Sequence, residues 1–167
     1  MKIKMYLYPL WLRSWHWINA ALFFVLIATG ISLHYSATSS LYLSFETAIV
    51  AHNTAGILLT LNYIFYTLFN IISGNYKHYI PPIKGMTMKL IKQARYYVWG
   101  VFRGEDHPFH TTEEQKFNPL QQVSYFGIMF FMMPLVCISG TLLMFPELAP
   151  EKFLGMGGVW PMAVLHI

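Results

Sequence analysis

Formal charge is absent from three long intervals of this chain. Residues 14–45, 47–76 and 117–146 contain no Asp, Glu, Lys or Arg. A soluble domain carries about 25% charged residues, whereas a helix that crosses a bilayer needs roughly 20 consecutive, predominantly apolar residues. Only 11% of the 167 residues are charged and 56% are hydrophobic, but the clustering of the charges carries more information than their number. It predicts an all-α transmembrane helix bundle, a single membrane domain over residues 1–167. The predicted spans run from about Leu12 to Tyr35, Thr47 to Ile72 and Pro119 to Phe145, and Pro134 is expected to kink the third. A fourth apolar segment, VWPMAVLHI, begins near Val159 and reaches Ile167 with no polar end, basic stop or turn residue. It reads as the start of a fourth helix, which implies that the native protein continues or that the sequence is a fragment of a four-span protein.

A signal peptide is the alternative for the first span, with Lys2 and Lys4 as its basic start and Ser36-Ala37-Thr38 as its small-residue site. The apolar core is too long for that, and Trp15-His16-Trp17 is a poor start. Cys137 stands alone, so no disulfide forms within the chain, and there is no CxxCH motif for covalent haem attachment.

Lysine and arginine set orientation. Lys2, Lys4 and Arg13 precede the first span, and Lys77, Lys84, Lys89, Lys92, Arg95, Arg103 and Lys116 follow the second. The first connection has none and the last only Lys152. The N-terminus and the connection over residues 73–118 are therefore expected in the cytoplasm of a multi-pass membrane protein. The net charge of +4 is then a topology signal, and no nucleic-acid partner is needed. Tyr6, Tyr8, Trp11, Trp15 and Trp17 read as an interfacial aromatic cluster. Within the long connection, Met86 to Phe102 mixes apolar and basic positions at helical spacing. This predicts a membrane-surface helix with Met88, Ile91, Tyr96, Val98 and Trp99 toward lipid and Lys89, Lys92 and Arg95 reaching phosphates. A quinone-site role for Tyr96 or Tyr97 is the weaker reading. His107 and His110 have metal-like spacing but read as solvated loop residues.

Ionisable residues inside spans are costly and point to function. His16 lies one turn into the first helix. His52 lies about two turns into the second, which runs the other way, and His166 opens the fourth. His52 and His166 therefore share a depth near the outer face, where two facing helices could offer them to one metal. His16 sits at the opposite depth. A histidine about 14 residues past His166 would lie about 21 Å deeper on the same face and would serve His16. Two centres stacked across the bilayer follow, and neutral imidazole is a usual ligand of haem iron. Ala20 and Gly56 follow His16 and His52 by one turn, and their small side chains would leave room for a flat ring. Gly30 and Gly140 could do the same or allow close helix packing. The bland alternative for each histidine is an interhelical hydrogen bond. His34 and His78 read as interfacial.

These segments resemble a known family. RSWHWINA (Arg13 to Ala20) is similar to the first-helix motif of bacterial di-haem membrane cytochrome b subunits, those of nickel-iron hydrogenases, formate dehydrogenases and thiosulfate-reductase-like enzymes. AHNTAGI (Ala51 to Ile57) resembles their second-helix ligand motif. KFNPLQQVSYFGIMFF (Lys116 to Phe131), with the later ISGTLL, resembles their third-helix start, and LHI the start of their fourth. The resemblance implies a four-helix bundle with two b-type haems in the bacterial cytoplasmic (inner) membrane. It implies His52 and His166 as ligands of the outer haem and His16 as one ligand of the inner haem. Electrons would pass between a quinone and an extracytoplasmic iron-sulfur or other redox subunit. The chain would then be an electron-transfer subunit rather than an enzyme by itself. A haem-free membrane anchor for a peripheral enzyme is the alternative. A small transporter is disfavoured by the lack of paired halves.

Overall fold

The computed structural model describes residues 6–35, 43–153 and 155–167. Lys2, Lys4 and Ser36-Ala37-Thr38 lie outside them. Helix α1 runs Leu10–His34 and α2 runs Phe45–Ile72. The third apolar helix, 119–144, is built from α4 (Pro119–Gly127), a wide π turn (Ile128–Met132) and α5 (Met133–Met144). These three are long and apolar enough to cross a membrane. A 25-residue helix rises about 37 Å, more than the roughly 30 Å of hydrocarbon it must cross. The apolar side chains of these helices stay largely exposed, as lipid-facing residues should. Three threonine hydroxyls within the spans are satisfied by their own helix. Thr60 donates to the Gly56 carbonyl at 2.9 Å, Thr67 to Tyr63 at 2.9 Å and Thr141 to Cys137 at 2.7 Å.

The start of α4 follows from its sequence. Asn118 Oδ1 accepts from the Gln121 N–H at 2.9 Å, Gln121 Oε1 accepts from the Asn118 N–H at 3.1 Å, and Pro119 occupies the first turn. This is a reciprocal capping box with a proline where its missing N–H costs nothing. Pro134 cannot donate within the helix. The backbone widens into the π turn immediately before α5, a known way to accommodate such a break.

Two compact units result, one from the chain up to Pro9 with Phe69–Met132, the other from Leu10–Leu68 with Met133–Ile167. In the first unit Phe117 gathers Tyr8, Tyr79 and Tyr125, with ring centres 6.5, 5.1 and 4.9 Å away. A polar chain runs beside it. Lys116 Nζ donates to Asn75 Oδ1 at 3.1 Å, and Asn75 Nδ2 donates to Asn70 Oδ1 at 2.9 Å. Gln122 Nε2 donates to the His78 and Ile80 carbonyls. Burial, and then the Lys116 cation, hold the His78 imidazole below its ordinary pKa, against a backbone hydrogen bond to Glu114; burial also lowers the Lys116 ammonium.

The long connection holds α3, Met86–Arg95, followed by a π turn (Tyr96–Gly100) and a short 3-10 turn (Val101–Arg103). Met88, Ile91, Val98 and Trp99 are exposed. Tyr96 departs from the expected lipid face, packing on the His107 ring at 4.9 Å. His107 is accordingly half-buried, with Nδ1 accepting from the Phe109 N–H at 3.3 Å, while His110 stays exposed. Tyr97 OH accepts from Asn118 Nδ2 at 2.9 Å.

The second unit contains α1, α2, α5 and α6 (Trp160–His166), the last preceded by a short hairpin pairing Lys152 with Gly157 and Phe153 with Met156. Trp15 does not join the interfacial aromatics. It is buried and stacks on Tyr66 at 4.2 Å, whereas Trp17 and Tyr6 remain exposed.

Candidate functional site

His52 projects from the second turn of α2 and His166 from α6, and their ring centres lie 6.1 Å apart with planes at 79°. A neighbouring helix holds each ring. Thr29 Oγ1 on α1 lies 2.9 Å from His52 Nδ1, and Ser139 Oγ on α5 lies 3.1 Å from His166 Nδ1. The direction of these bonds follows from counting protons. A hydroxyl has one hydrogen. Thr29 gives its hydrogen to the Val25 carbonyl at 2.7 Å, and Ser139 gives its own to the Val136 carbonyl at 3.2 Å. With those hydrogens on the helix carbonyls, an Nδ1–H on each imidazole is the matching donor. In a neutral ring this leaves the lone pair on Nε2, the arrangement usual for a metal-binding histidine whose other nitrogen is hydrogen-bonded.

Glycine makes the approach possible. A Cβ placed on Gly140 would sit 2.8 Å from His166 Cε1, and one on Gly30 would sit 3.5 Å from His52 Cε1. Both residues allow a histidine to lie against the helix backbone. Gly56, one turn along from His52, has nothing within 4 Å of where its Cβ would be. That position leaves open space beside the ring.

The spacing leaves room for one metal ion between the two rings. Two imidazoles bonded to one metal at about 2 Å, their ring centres a further ~1 Å back, would stand at most roughly 6 Å apart. Among the described residues no group of three His, Cys, Asp or Glu side chains gathers around a metal position. A metal between His52 and His166 would have to bring its remaining ligands with it, as the iron of a porphyrin does.

His16 lies at a different level. Thr29, which touches His52, is on the same helix, and α1 rises roughly 20 Å between the two residues at about 1.5 Å each. His16 is exposed and packs edge-on against Trp17 at 5.6 Å. Ala20, one turn on, is partly buried. At this level Trp15 Nε1, Asn19 Oδ1 and Asn62 Nδ2 are buried with no hydrogen-bond partner among the described residues. Buried polar atoms of this kind are rare without a water, ion or ligand to satisfy them. His34 is exposed and packs against Tyr35 at 4.9 Å.

Reading the sequence identified the two histidines and both glycines but missed Thr29 and Ser139. The available signal was a hydroxyl residue directly before each glycine, Thr29-Gly30 and Ser139-Gly140. Gln93, fully buried on α3 with neither end of its amide partnered among the described residues, was also invisible to pattern reasoning.

The family model described as prokaryotic cytochrome b561 matches residues 7–167. The chain is 36% identical over 153 residues to the "Putative cytochrome YdhU" of Escherichia coli (strain K12), an alignment covering 92% of this chain and 58% of that protein. The chain thus spans a little over half the length of this curated relative. No solved structure matches.

Proposed function

Since the chain belongs to the prokaryotic cytochrome b561 family, and is therefore a bacterial multi-pass membrane b-type cytochrome of electron transfer, we propose that His52 and His166 ligate one haem b and His16 a second, nearer the N-terminal end of α1. Haem, when bound, supplies the one-electron chemistry. The chain's part is to place the two imidazole Nε2 lone pairs, to make room at Gly56 and Ala20, and to keep water from the site with apolar helices. The 6.1 Å separation of the two tethered rings carries this reading. The family match favours it over the haem-free anchor. The roughly 20 Å rise between the His16 and His52 levels supports two centres at different depths.

The wider role extends from there. Electrons pass between a quinone, exchanging near the His16 level, and an iron-sulfur or other redox subunit on the far side of the inner membrane. The basic residues of the N-terminal segment and the 73–118 connection support a cytoplasmic N-terminus, and the exposed apolar face of α3 supports its lying along the lipid surface. Haem content and the reduced-minus-oxidised spectrum of purified protein test the proposal. His52→Ala should remove one haem and leave the other, and His16→Ala the reverse. Equal loss of both haems from either change, in protein that still folds, would refute the two-depth arrangement.

A further inference from the structure

The pairing of a hydroxyl with a glycine occurs twice, each time beneath a histidine. Thr29-Gly30 on α1 and Ser139-Gly140 on α5 each set a hydroxyl against Nδ1 and bare backbone against the ring, of His52 and of His166 respectively. Neither α1 nor α5 contributes an imidazole to this pair. Resting on the reading of His52 and His166 as haem ligands, we infer that Thr29 and Ser139 are positioning residues that tune the potential of that haem.

The chemistry runs through Nδ1–H. A hydroxyl oxygen whose own hydrogen is already given to a helix carbonyl is a polarised acceptor. It draws the ring proton toward itself and raises the basicity of the opposite nitrogen. A more basic Nε2 favours the oxidised metal. The glycine keeps the ring pressed to the helix, so the hydroxyl and imidazole stay within 2.9 and 3.1 Å. Removing either hydroxyl leaves the imidazole in place, because the glycine and helix packing remain, but weakens its donation. The site then becomes easier to reduce.

The test is a redox titration of the purified, haem-loaded protein, followed at the absorption band of the His52 haem and by electron paramagnetic resonance of its ferric form. Thr29→Val and Ser139→Ala should each keep that haem and raise its reduced-to-oxidised ratio at a fixed potential roughly threefold to tenfold, the range expected for one hydrogen bond. A tenfold change corresponds to about 59 mV for one electron. Thr29→Ser, which retains the oxygen, should titrate as the parent does. Should Thr29→Val fail to assemble, Ser139→Ala, which only removes an oxygen, decides the matter alone. Parental titration and resonance in the hydroxyl variants, alongside loss of the haem in His52→Ala, would overturn the inference and leave the ligand assignment standing. Retention of both haems in His52→Ala would overturn the ligand assignment, and the inference with it.

Discussion

Adding one methyl group at Gly140 should eject or displace the ring of His166. A Cβ there would lie 2.8 Å from His166 Cε1 and 3.4 Å from Nδ1, well inside the roughly 3.5 Å at which carbon atoms attract rather than repel. Restoring contact requires the ring to retreat by about 0.7 Å, which stretches the 3.1 Å bond to Ser139 past the limit of a useful hydrogen bond. Overpacking costs about 1–3 kcal/mol, and the lost bond about 1 kcal/mol. Against these stands the better helix propensity of alanine, worth about 1 kcal/mol. The net penalty of roughly 1–3 kcal/mol falls on the geometry of the proposed haem ligand, and on that proposal should weaken haem binding about tenfold to a hundredfold. Gly30→Ala is the matched control, since its Cβ would meet His52 Cε1 at an ordinary 3.5 Å. Haem-to-protein ratio measured during haem titration of the two variants gives the comparison. A Gly140→Ala protein that binds haem as tightly as Gly30→Ala would refute the reasoning, because it would show that the glycine only serves helix packing.

Two further predictions concern the first unit. Asn118→Ala removes the side-chain cap of α4 and the donor to Tyr97 OH, and should lower stability by about 1–2 kcal/mol, read as a lower melting temperature in detergent; Asn118→Asp, which keeps the capping oxygen, should recover part of the loss. The His78 imidazole is depressed from 6.5, chiefly by burial, so the unfolded chain binds its proton more readily than the native one. Its contribution to stability is complete above about 6.5 and is lost as pH falls through the native value. Melting temperatures taken from pH 8 down to pH 5 should decline less steeply in His78→Gln, and parallel curves would rule out the linkage.

The spans were legible because charge is so expensive in hydrocarbon that its absence marks them directly; α1 and α2 each begin two residues earlier than expected, a difference usual at helix ends. The shared level of His52 and His166 was legible because helix rise is fixed and chain direction alternates. Thr29 and Ser139 were not, because a hydroxyl in an apolar helix is most often spent on its own carbonyl, as Thr60, Thr67 and Thr141 are here. Thr29 and Ser139 do the same and meet a histidine Nδ1 besides, which only tertiary packing reveals. Trp15 misled for a related reason. Its neighbours at the helix start are interfacial, but its own azimuth on α1 turns it onto Tyr66. The π turn at Ile128–Met132 was anticipated only as a kink, since Pro134 announces a break without saying how the backbone absorbs it.

The two hydroxyl–glycine pairs also repeat one pattern along the chain. Each belongs to a helical hairpin in which the first arm carries the pair and the second, 23 or 27 residues on, carries the histidine. The same order of hydroxyl, glycine and histidine therefore occurs twice in one unit. The two supports differ in a threonine against a serine and in a clearance of 3.5 Å against 2.8 Å. Exchanging the hydroxyls, by pairing Thr29→Ser with Ser139→Thr, would move the bulkier one from beneath His52 to beneath His166 while leaving the helices as they are.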